Sequence, residues 1–328
     1  MDGKHEGELT VKILSMGEVL WDVFGDEEYL GGAPLNFSAV LQRLGNTAAV
    51  LTAVGKDERG IRTLKTMRDL GLSTEFVRQV TERPTGTAFV SMDGDRNAVF
   101  TIDRPAAFDC VAVDASLLER AVHFAPDWLY FGTLAQANPH METALLRLVE
   151  NLPETRCFYD VNLRSGHWNL ALVERLSSAA DVLKLNHREA EQLYELTRGK
   201  SGYNLEAFCR HWSSTYNIST ICVTLGSRGC AIFDRDTLRS FDGFTVEVVD
   251  TVGSGDAFAA AFLHGLNAGW PIEENANFAN ALGALVAGRP GATPDWSLEE
   301  YYALIRSRAA SRDTSNPSAR GDPARDLP

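Results

Sequence analysis

Short apolar runs alternate with amphipathic stretches through most of the chain. Runs rich in β-branched and aromatic residues predict strands at 11–16, 48–54, 128–132, 157–160, 182–186 and 219–224. Between them, apolar residues recur at helical spacing and predict helices at 34–44, 60–70, 140–151 and 170–177. Strands that alternate with helices in this way form a parallel sheet with helices packed on it. The pattern therefore predicts an α/β fold built on a mostly parallel central sheet.

A β hairpin interrupts this alternation. Residues 87–92 and 97–102 alternate as strands do, and an Asp-Gly pair lies in the connection between them, which is a strong hairpin signal. Another strand-like piece, at 19–24, precedes the glycine pair Gly31 and Gly32. Together these pieces predict a small accessory sheet. Two interpretations are open: a lid over a cleft or a surface hairpin without function.

Charge and cysteine usage narrow the classes of function. The formal net charge of the 328 residues is −13, which disfavours binding to nucleic acid or to anionic membranes. The 5 cysteines are scattered and lack metal-binding spacing, so we expect reduced thiols in a cytoplasmic protein. Polar residues interrupt the most apolar stretch, 257–288, and the N-terminus lacks a signal-peptide core. We therefore expect neither a membrane partner nor a nucleic-acid partner.

The composition also predicts where the folded domain ends. After residue 308 the chain is rich in Ser, Arg, Asp, Pro and Gly and loses its apolar periodicity. Such segments bury too little apolar surface to offset the entropy cost of ordering them. We therefore expect one domain over residues 10–308 and a disordered tail over 309–328.

The most informative motif occupies residues 250–256 and reads Asp-Thr-Val-Gly-Ser-Gly-Asp. An alanine-rich apolar helix pattern follows it directly. Gly253 and Gly255 allow backbone N–H groups to approach an anion, and a helix N-terminus adds partial positive charge. Asp256, on the first turn, could take a proton from an attacking hydroxyl. The motif predicts phosphoryl transfer to an alcohol; the alternative is an ordinary loop with a capping aspartate.

An earlier motif also combines glycines with the start of a helix. It runs over residues 31–36 as Gly-Gly-Ala-Pro-Leu-Asn. Gly32 permits close approach of the backbone to a ligand, and Asn36 offers both a donor and an acceptor to a hydroxyl-rich molecule. Asp22 precedes them on the predicted strand, where its carboxylate could accept hydrogen bonds from sugar hydroxyls. A solvated strand residue is the alternative for Asp22.

Polar residues follow two of the predicted strands. Asp160, Asn162 and Arg164 come after the strand at 157–160, at the edge where open α/β sheets bind ligands. Arg164 could neutralise phosphate or form a structural salt bridge. Asn186 and Glu189 follow the strand at 182–186 and could orient water around Mg²⁺. Their spacing taken alone favours a capping box at a helix start.

A turn rich in small residues closes the strand at 219–224. Thr224, Gly226 and Gly229 lie in it and could line a nucleotide phosphate path, or could form an ordinary hairpin turn. The sequence contains no Gly-x-x-x-x-Gly-Lys-Ser/Thr loop, and no Gly-x-Gly-x-x-Gly follows the first strand. A classical P-loop is therefore excluded, and a dehydrogenase is disfavoured.

Taken in order, these motifs resemble those of the PfkB (ribokinase-like) carbohydrate kinases over residues 10–305. Within that family three segments are most similar to fructokinases and their unassigned bacterial relatives: Gly-Glu-Val-Leu-Trp-Asp at 17–22, Gly-Gly-Ala-Pro at 31–34 and Asp-x-Asn-Leu-Arg at 160–164. The Asn-Leu-Arg element at 162–164 is also similar to 2-keto-3-deoxygluconate kinases. The resemblance implies a ribokinase-like three-layer sandwich with a nine-stranded, mostly parallel central sheet. It further implies a small β-sheet lid from residues 18–32 and 84–105, with a homodimer through that lid.

The resemblance assigns roles to the sugar and phosphoryl side of the site. Asp256 would be the base, and the amides of Gly253, Ser254, Gly255 and Asp256 would form the anion hole. The sugar would be held by Asp22, Gly32 and Asn36, with Arg164 near the phosphates. A carboxylate of ordinary pKa, about 4, suffices for a proton that leaves late.

The resemblance also implies ATP and Mg²⁺, with K⁺ as a further cofactor. The nucleotide would lie along Thr224, Gly226, Gly229, Gly255 and Asn280, while Asn186 and Glu189 would organise the magnesium shell through water. A monovalent-cation loop would involve Asp250, Val252 and Gly291. Val252 and Ser254 depart from the Thr and Ala that the family often has, and Val252 can offer only its carbonyl to an ion.

We therefore expect an ATP-dependent sugar kinase that acts on fructose. Three alternatives stay open: a 2-keto-3-deoxygluconate or other sugar-acid kinase, a nucleoside kinase, and a non-catalytic sugar-binding regulator. Retention of Asp256 and Arg164 disfavours the regulator, and the polar Asp22 and Asn36 favour a sugar over a nucleoside.

Overall fold

The computed structural model describes residues 10–92, 98–199 and 202–314. Its strands are β1 (Lys12–Met16), β2 (Leu20–Phe24), β3 (Glu27–Gly31), β4 (Thr47–Gly55), β5 (Val77–Val80), β6 (Gly86–Met92), β7 (Ala98–Ile102), β8 (Trp128–Gly132), β9 (Arg156–Asp160), β10 (Val182–Asn186), β11 (Thr220–Thr224), β12 (Cys230–Asp234) and β13 (Thr237–Phe241). Its helices are α1 (Ala33–Arg43), α2 (Glu58–Asp69), α3 (Ala115–Phe124), α4 (Thr133–Gln136), α5 (Pro139–Asn151), α6 (Leu170–Ser177), α7 (His187–Arg198), α8 (Leu205–Tyr216), α9 (Ser254–Asn267), α10 (Ile272–Ala287) and α11 (Leu298–Thr314).

The central sheet has nine strands in the order β13-β12-β11-β10-β9-β8-β1-β4-β5. Neighbours from β11 through β5 run parallel, and only β12 and β13 pair antiparallel at one edge. The predicted strands and helices all occur, with ends within two residues of the predicted ones. The predicted α/β class with a large, mostly parallel sheet is confirmed.

Alternating side chains of the central strands build a core on each face of the sheet. Ile13 and Tyr130 belong to the core under α1, α9 and α10. Leu14 and Phe131, their neighbours along the same strands, belong to the opposite core, under α5–α8. Successive residues of a strand point to opposite faces, so a strand buried on both sides is mostly apolar along its length. Each such side chain contributes about 1.5–3 kcal/mol when it is fully buried.

Helix α9 is buried on nearly all sides because its residues are small and apolar. Ala257 and Ala259–Ala261 have no accessible surface, and the helix packs against α1 and α10. A Cβ on Gly265 would lie 2.3 Å from Oδ1 of Asn275 on α10, so only glycine allows this approach. The helix is thereby held rigidly, and its N-terminus is fixed at the carboxyl edge of the sheet.

A second sheet of four strands, the lid sheet, has the order β3-β2-β6-β7. Strand β2 pairs antiparallel with β3 and parallel with β6, and β6 pairs antiparallel with β7. The predicted hairpin and accessory sheet are therefore confirmed; the hairpin connection at 93–96 lies outside the described residues. All four strands fall within the segments 18–32 and 84–105 that were expected to form a lid.

The C-terminal helix extends into the segment 309–328 that was expected to be a tail. Helix α11 continues to Thr314, because Ala309, Ala310 and the arginines around them are good helix formers even without an apolar face. Residues 315–328 lie outside the described part of the chain.

Across the residues that are described, no helix has the length and apolar character to cross a bilayer.

Candidate active site

The N-terminus of α9 is built by a glycine that no other residue can replace. Gly253 precedes the helix with φ 78° and ψ −12°, in the left-handed region that favours glycine. A Cβ there would lie 2.2 Å from the carbonyl oxygen of Ala292. The first backbone amides of a helix have no carbonyl partner within it, so they can bind an anion. Of these, the Ser254 amide donates to the Thr251 carbonyl at 3.3 Å.

Asp256 lies on the first turn of α9 with 8% of its surface exposed. Its Oδ2 accepts a hydrogen bond of 2.8 Å from Nδ2 of Asn36, on α1. Burial raises the pKa of Asp256 to about 6, against the lowering influence of the Lys184 ammonium. Its pKa is therefore higher than the ordinary value of about 4 expected from the sequence. The structure joins two predicted site residues from opposite ends of the chain.

Under this helix N-terminus lies a buried ion pair that the motifs did not indicate. Nζ of Lys184, on β10, donates to both oxygens of Asp160, on β9, at 3.0 and 2.9 Å. Asp160 also accepts from the Tyr130 hydroxyl at 3.2 Å. Burial opposes the charge on Lys184, yet the Asp160 carboxylate raises the pKa of this lysine above its usual value. The ammonium therefore persists inside the protein.

The position of Lys184 places its charge beside the predicted anion hole. A Cβ added to Gly255 would lie 3.2 Å from Nζ of Lys184, so the ammonium sits directly against the first turn of α9. From the sequence, a lysine between leucines in a buried strand was the one available signal, and no role was predicted for it.

Arg104 also had no predicted role; its guanidinium pairs with Asp109 and donates to the Leu134 and Ala135 carbonyls.

The lid sheet contributes Asp22, which is buried on β2. Its Oδ2 lies 2.8 Å from the point where a Cβ on Gly31 would be, so that glycine leaves room for the carboxylate. Burial raises the pKa of Asp22 to about 6, and Arg164 lowers it. Gly32 adopts φ 112° as the residue before α1, where a Cβ would meet the Glu18 carbonyl at 2.4 Å.

Arg164 lies in the loop after β9. Its Nη1 donates to Oδ1 of Asn162 at 2.7 Å and to the Leu163 carbonyl at 3.3 Å. The positive charge of Arg164 lowers the pKa values of both Asp22 and Asp256. The guanidinium, the two carboxylates and Asn36 therefore belong to one electrostatic neighbourhood between the lid sheet and α9.

A cavity of about 530 Å³ opens on the other side of the α9 N-terminus. Five of the residues predicted to contact a nucleotide line it: Thr224, Gly226, Gly229, Gly255 and Asn280. Gly229 adopts φ 99°, and a Cβ there would lie 2.1 Å from the Phe241 carbonyl. Asn280 donates to the Phe241 and Asp242 carbonyls at 3.4 and 3.3 Å. Phe244, Val246 and Val248 give one wall apolar character suited to an aromatic ring.

Asn186 and Glu189 form the capping box that their spacing favours. Oδ1 of Asn186 accepts from the Arg188 and Glu189 amides, and Oε2 of Glu189 accepts from the Asn186 amide at 2.8 Å. Oε1 of Glu189 accepts from the Leu163 amide at 2.8 Å. The described residues contain no cluster of three or more His, Cys, Asp or Glu side chains able to hold a metal directly.

The residues proposed for a monovalent cation are also adjacent. Asp250 accepts from the Val252 amide at 3.0 Å through Oδ1 and from the Gly291 amide at 3.2 Å through Oδ2. These bonds join the loop before α9 to the loop after α10.

A glycine-lined cavity beside a buried carboxylate at one helix N-terminus is the arrangement of an enzyme that transfers a phosphoryl group.

Comparison with known proteins agrees with this class. The model of the pfkB family carbohydrate kinases matches residues 8–298. Fructokinase-1 of Oryza sativa subsp. japonica is 31% identical over 296 residues, which cover 84% of this chain and 88% of that protein. The ATP-dependent ribose-1-phosphate kinase of Halopiger xanaduensis is 29% identical, over 91% of this chain and 99% of that protein.

Solved structures show the same fold. The fructokinase of Xylella fastidiosa with bound ATP superposes with a TM-score of 0.80 at 22% identity, covering 91% of this chain and 99% of that one. The chain belongs to the pfkB family of carbohydrate kinases, which confirms the resemblance found in its motifs. It is therefore a sugar phosphotransferase with a ribokinase-like fold.

Proposed function

We propose that this kinase transfers the γ-phosphoryl group of ATP to a hydroxyl of fructose. The observation that carries the proposal is the position of Asp256. Its carboxylate is bonded to Asn36, while Ser254 and Gly255 of the same helix turn line the glycine-rich cavity. A sugar hydroxyl between Asp256 and that cavity would meet the base and the phosphate at once.

In the proposed reaction, the sugar hydroxyl oxygen forms a bond to the γ-phosphorus of ATP. The bond from that phosphorus to the bridging oxygen breaks, ADP leaves, and the hydroxyl proton passes to Asp256. The amides of Gly253, Ser254, Gly255 and Asp256 would stabilise the transferring group, and Arg164 would neutralise phosphate charge. Positioning and charge neutralisation are the main requirements of such a loose transition state.

The charges around the sugar side favour a neutral substrate. Asp22 and Asp256 are buried within the influence of one guanidinium, that of Arg164, and the neighbouring Arg104 is already paired with Asp109. A sugar acid would bring a further carboxylate into this region, whereas hydroxyls can donate to Asp22 and bond to Asn36. The fructokinases among the relatives support fructose as that neutral sugar. Gly32 would let the backbone approach it.

ATP would occupy the cavity lined by Thr224, Gly226, Gly229 and Asn280, with its ring against the apolar wall. Magnesium, when bound, would shield the phosphate charge. The donor set fits a hydrated ion, because both oxygens of Glu189 already accept backbone amides and Mg²⁺ keeps several waters. Asn186 and Glu189 would hold those waters, and Asp250, Val252 and Gly291 would bind K⁺ through oxygens.

Association and location are part of the proposal. Tyr29 and Phe89, on the lid sheet, are 41% and 45% exposed, and a homodimer through that sheet would cover them. All 5 cysteines are unpaired thiols, which fits a cytoplasmic protein.

The decisive experiment measures ADP release with ATP and Mg²⁺ across fructose, ribose, ribose 1-phosphate, 2-keto-3-deoxygluconate and adenosine. The highest kcat/KM is expected for fructose. A higher value for the sugar acid or the phosphorylated sugar would refute the argument from charge, and a higher value for adenosine would make the chain a nucleoside kinase. Failure to phosphorylate any of the sugars would overturn the proposed function.

Replacing Asp22 with Asn tests the sugar side separately. The carboxylate would lose its charge-assisted hydrogen bonds to sugar hydroxyls, so KM for fructose is expected to rise about tenfold or more. KM for ATP should stay within about twofold. The control is Asp26→Asn, in the exposed turn between β2 and β3, and an unchanged KM for fructose in Asp22→Asn would remove this residue from the site.

The pH dependence of kcat tests Asp256 as the base. Burial raises the pKa of Asp256 to about 6, and only the ionised form accepts a proton. At saturating substrates kcat should fall about tenfold per pH unit below 6 and reach a plateau above 7. The bond from Asn36 lowers this pKa, so Asn36→Ala should move the midpoint upward. A profile flat between pH 5 and 8 would contradict the assignment.

A further inference from the structure

Glu18 is a buried acid that the proposed reaction does not use. It lies in the segment between β1 and β2 with 4% of its surface exposed. One carboxyl oxygen accepts from the residue's own backbone N–H. Its Oε2 has no hydrogen-bond partner in the described part of the chain. A buried polar atom without a partner costs free energy, so its retention calls for a physical reason.

The charges that act on Glu18 come from three separate elements. Arg164 follows β9, Asp256 lies on the first turn of α9, and Arg104 follows β7. Burial raises the pKa of Glu18 to about 7, although both arginines lower it. Among the described residues Oε2 has no partner, so a proton on that oxygen would be available for donation to a ligand. Glu18 thus presents a donor beside the residues proposed to bind sugar.

Two further buried side chains in nearby chain segments also have unpartnered polar atoms. Gln136, at the end of α4, is fully buried, and neither its Oε1 nor its Nε2 has a partner among the described residues. The chain segments are adjacent, since a Cβ on Gly17 would lie 3.8 Å from Cβ of Ala135. Asn36, which holds Asp256 through Nδ2, leaves its own Oδ1 unpartnered.

These groups share one edge of the structure. Strands β1 and β8 are neighbours in the sheet, and Glu18 and Gln136 follow their carboxyl ends. Native proteins pair nearly all of their buried polar atoms, so unpartnered donors and acceptors gathered beside a predicted base indicate a polar ligand. An apolar ligand or an empty space would leave every one of them unpaired.

We propose that Glu18 and Gln136 form a wall of the sugar pocket, with protonated Glu18 donating from Oε2 to a sugar oxygen and Gln136 bonding to a further hydroxyl. The proposal rests on the sugar kinase function proposed above. It concerns sugar binding and leaves the phosphoryl transfer step to Asp256. Sugar hydroxyls both donate and accept, which matches one acid, one amide oxygen and one amide nitrogen.

This role makes sugar affinity depend on pH in a direction opposite to that of kcat. When Glu18 ionises, it loses the donated hydrogen bond and adds a negative charge to the pocket. The dissociation constant for fructose without ATP is therefore expected to rise about tenfold or more between pH 6 and 8.5. Titration calorimetry measures this directly and does not depend on turnover.

Glu18→Gln keeps the size and the donor of the protonated acid and removes the titration. Its affinity for fructose should equal that of the unsubstituted protein at pH 6 within about threefold and should then stay constant to pH 8.5. Gln136→Leu should weaken fructose binding about tenfold at every pH. The control is Glu58→Gln, on the exposed first turn of α2, which should retain the full pH dependence.

A ligand-free measurement separates this proposal from the proposed function. Burial raises the pKa of Glu18 to about 7 in the folded protein, whereas the unfolded chain releases this proton near the ordinary glutamate pKa of 4.5. The stability contribution of Glu18 is therefore lost as pH rises through this window. The thermal midpoint of Glu18→Gln should therefore be higher than that of the unsubstituted protein at pH 8. The same difference, measured at pH 4.5, should be smaller.

The outcomes are distinct. Fructose phosphorylation would leave the kinase standing, and the wall would be overturned if Glu18→Gln kept the full pH dependence of fructose affinity and Gln136→Leu bound fructose as tightly as the unsubstituted protein. Failure to phosphorylate any sugar would overturn the proposed function. It would also overturn the claim that the ligand of Glu18 and Gln136 is a sugar. Thermal midpoints of Glu18→Gln that match those of the unsubstituted protein at both pH values would overturn the protonated state of Glu18.

Discussion

Asp256→Asn is expected to lower kcat for fructose at least about a hundredfold, with KM for fructose and for ATP each within about threefold. The amide keeps the shape of the carboxylate and can still contact substrate, but it cannot accept the hydroxyl proton. The hydrogen bond from Asn36 can persist to the amide oxygen. The change therefore removes the base and little else, and steady-state kinetics at pH 8, well above the midpoint for Asp256, measures it.

The control for Asp256→Asn is Asp26→Asn, which makes the same chemical change in an exposed turn. It should leave both constants unchanged. Retention of kcat in Asp256→Asn would show that the proton leaves by another route. A loss of ATP binding in that variant would show that the carboxylate shapes the anion hole instead of acting as a base.

Lys184→Met is expected to cost about 3–5 kcal/mol of unfolding free energy, because it leaves Asp160 buried without its cation. The Asp160 carboxylate has no accessible surface and would keep only the Tyr130 hydroxyl among its described side-chain partners. Chemical denaturation at pH 7 measures the loss. We also expect kcat to fall, because the ammonium lies against Gly255 of the proposed anion hole.

A double variant, Asp160→Asn with Lys184→Met, separates these two effects. Removing both charges should restore most of the lost stability, since the penalty comes from the unpaired carboxylate. It should not restore kcat if Lys184 stabilises the transferring phosphoryl group. Equal recovery of stability and kcat would show that Lys184 acts on activity only through the fold.

The fold class could be predicted from the sequence because strands buried on both faces of a sheet appear as short, mostly apolar runs. The strands at 128–132 and 182–186 begin and end as predicted, since central strands are mostly apolar. The Asp-Gly hairpin was equally clear. The extension of α11 to Thr314 was missed, because composition reports the loss of an apolar face and does not report the end of a helix.

The electrostatics of the site could not be obtained in the same way. The burial of Asp256, the proximity of Lys184 and the missing partner of Glu18 all depend on which elements meet in space. A sequence motif shows that a carboxylate is present; its pKa is set by the groups packed around it. For this reason an ordinary pKa was expected for Asp256, whereas the fold raises it. No role was predicted for Glu18, although it lies in the segment 17–22 that is similar to fructokinases.

The connections between the two sheets have a mechanical consequence. Strand β1 ends at Met16 and β2 begins at Leu20, while β3 ends at Gly31 and α1 begins at Ala33. Three extended residues reach only about 10 Å, and the two connections touch where Gly32 meets the Glu18 carbonyl. The two connections therefore form one short junction that joins the β2–β3 hairpin to β1 on one side and to α1 on the other. Glu18 lies at this junction, so a ligand bound to its side chain would contact the place where the hairpin joins the central sheet and α1.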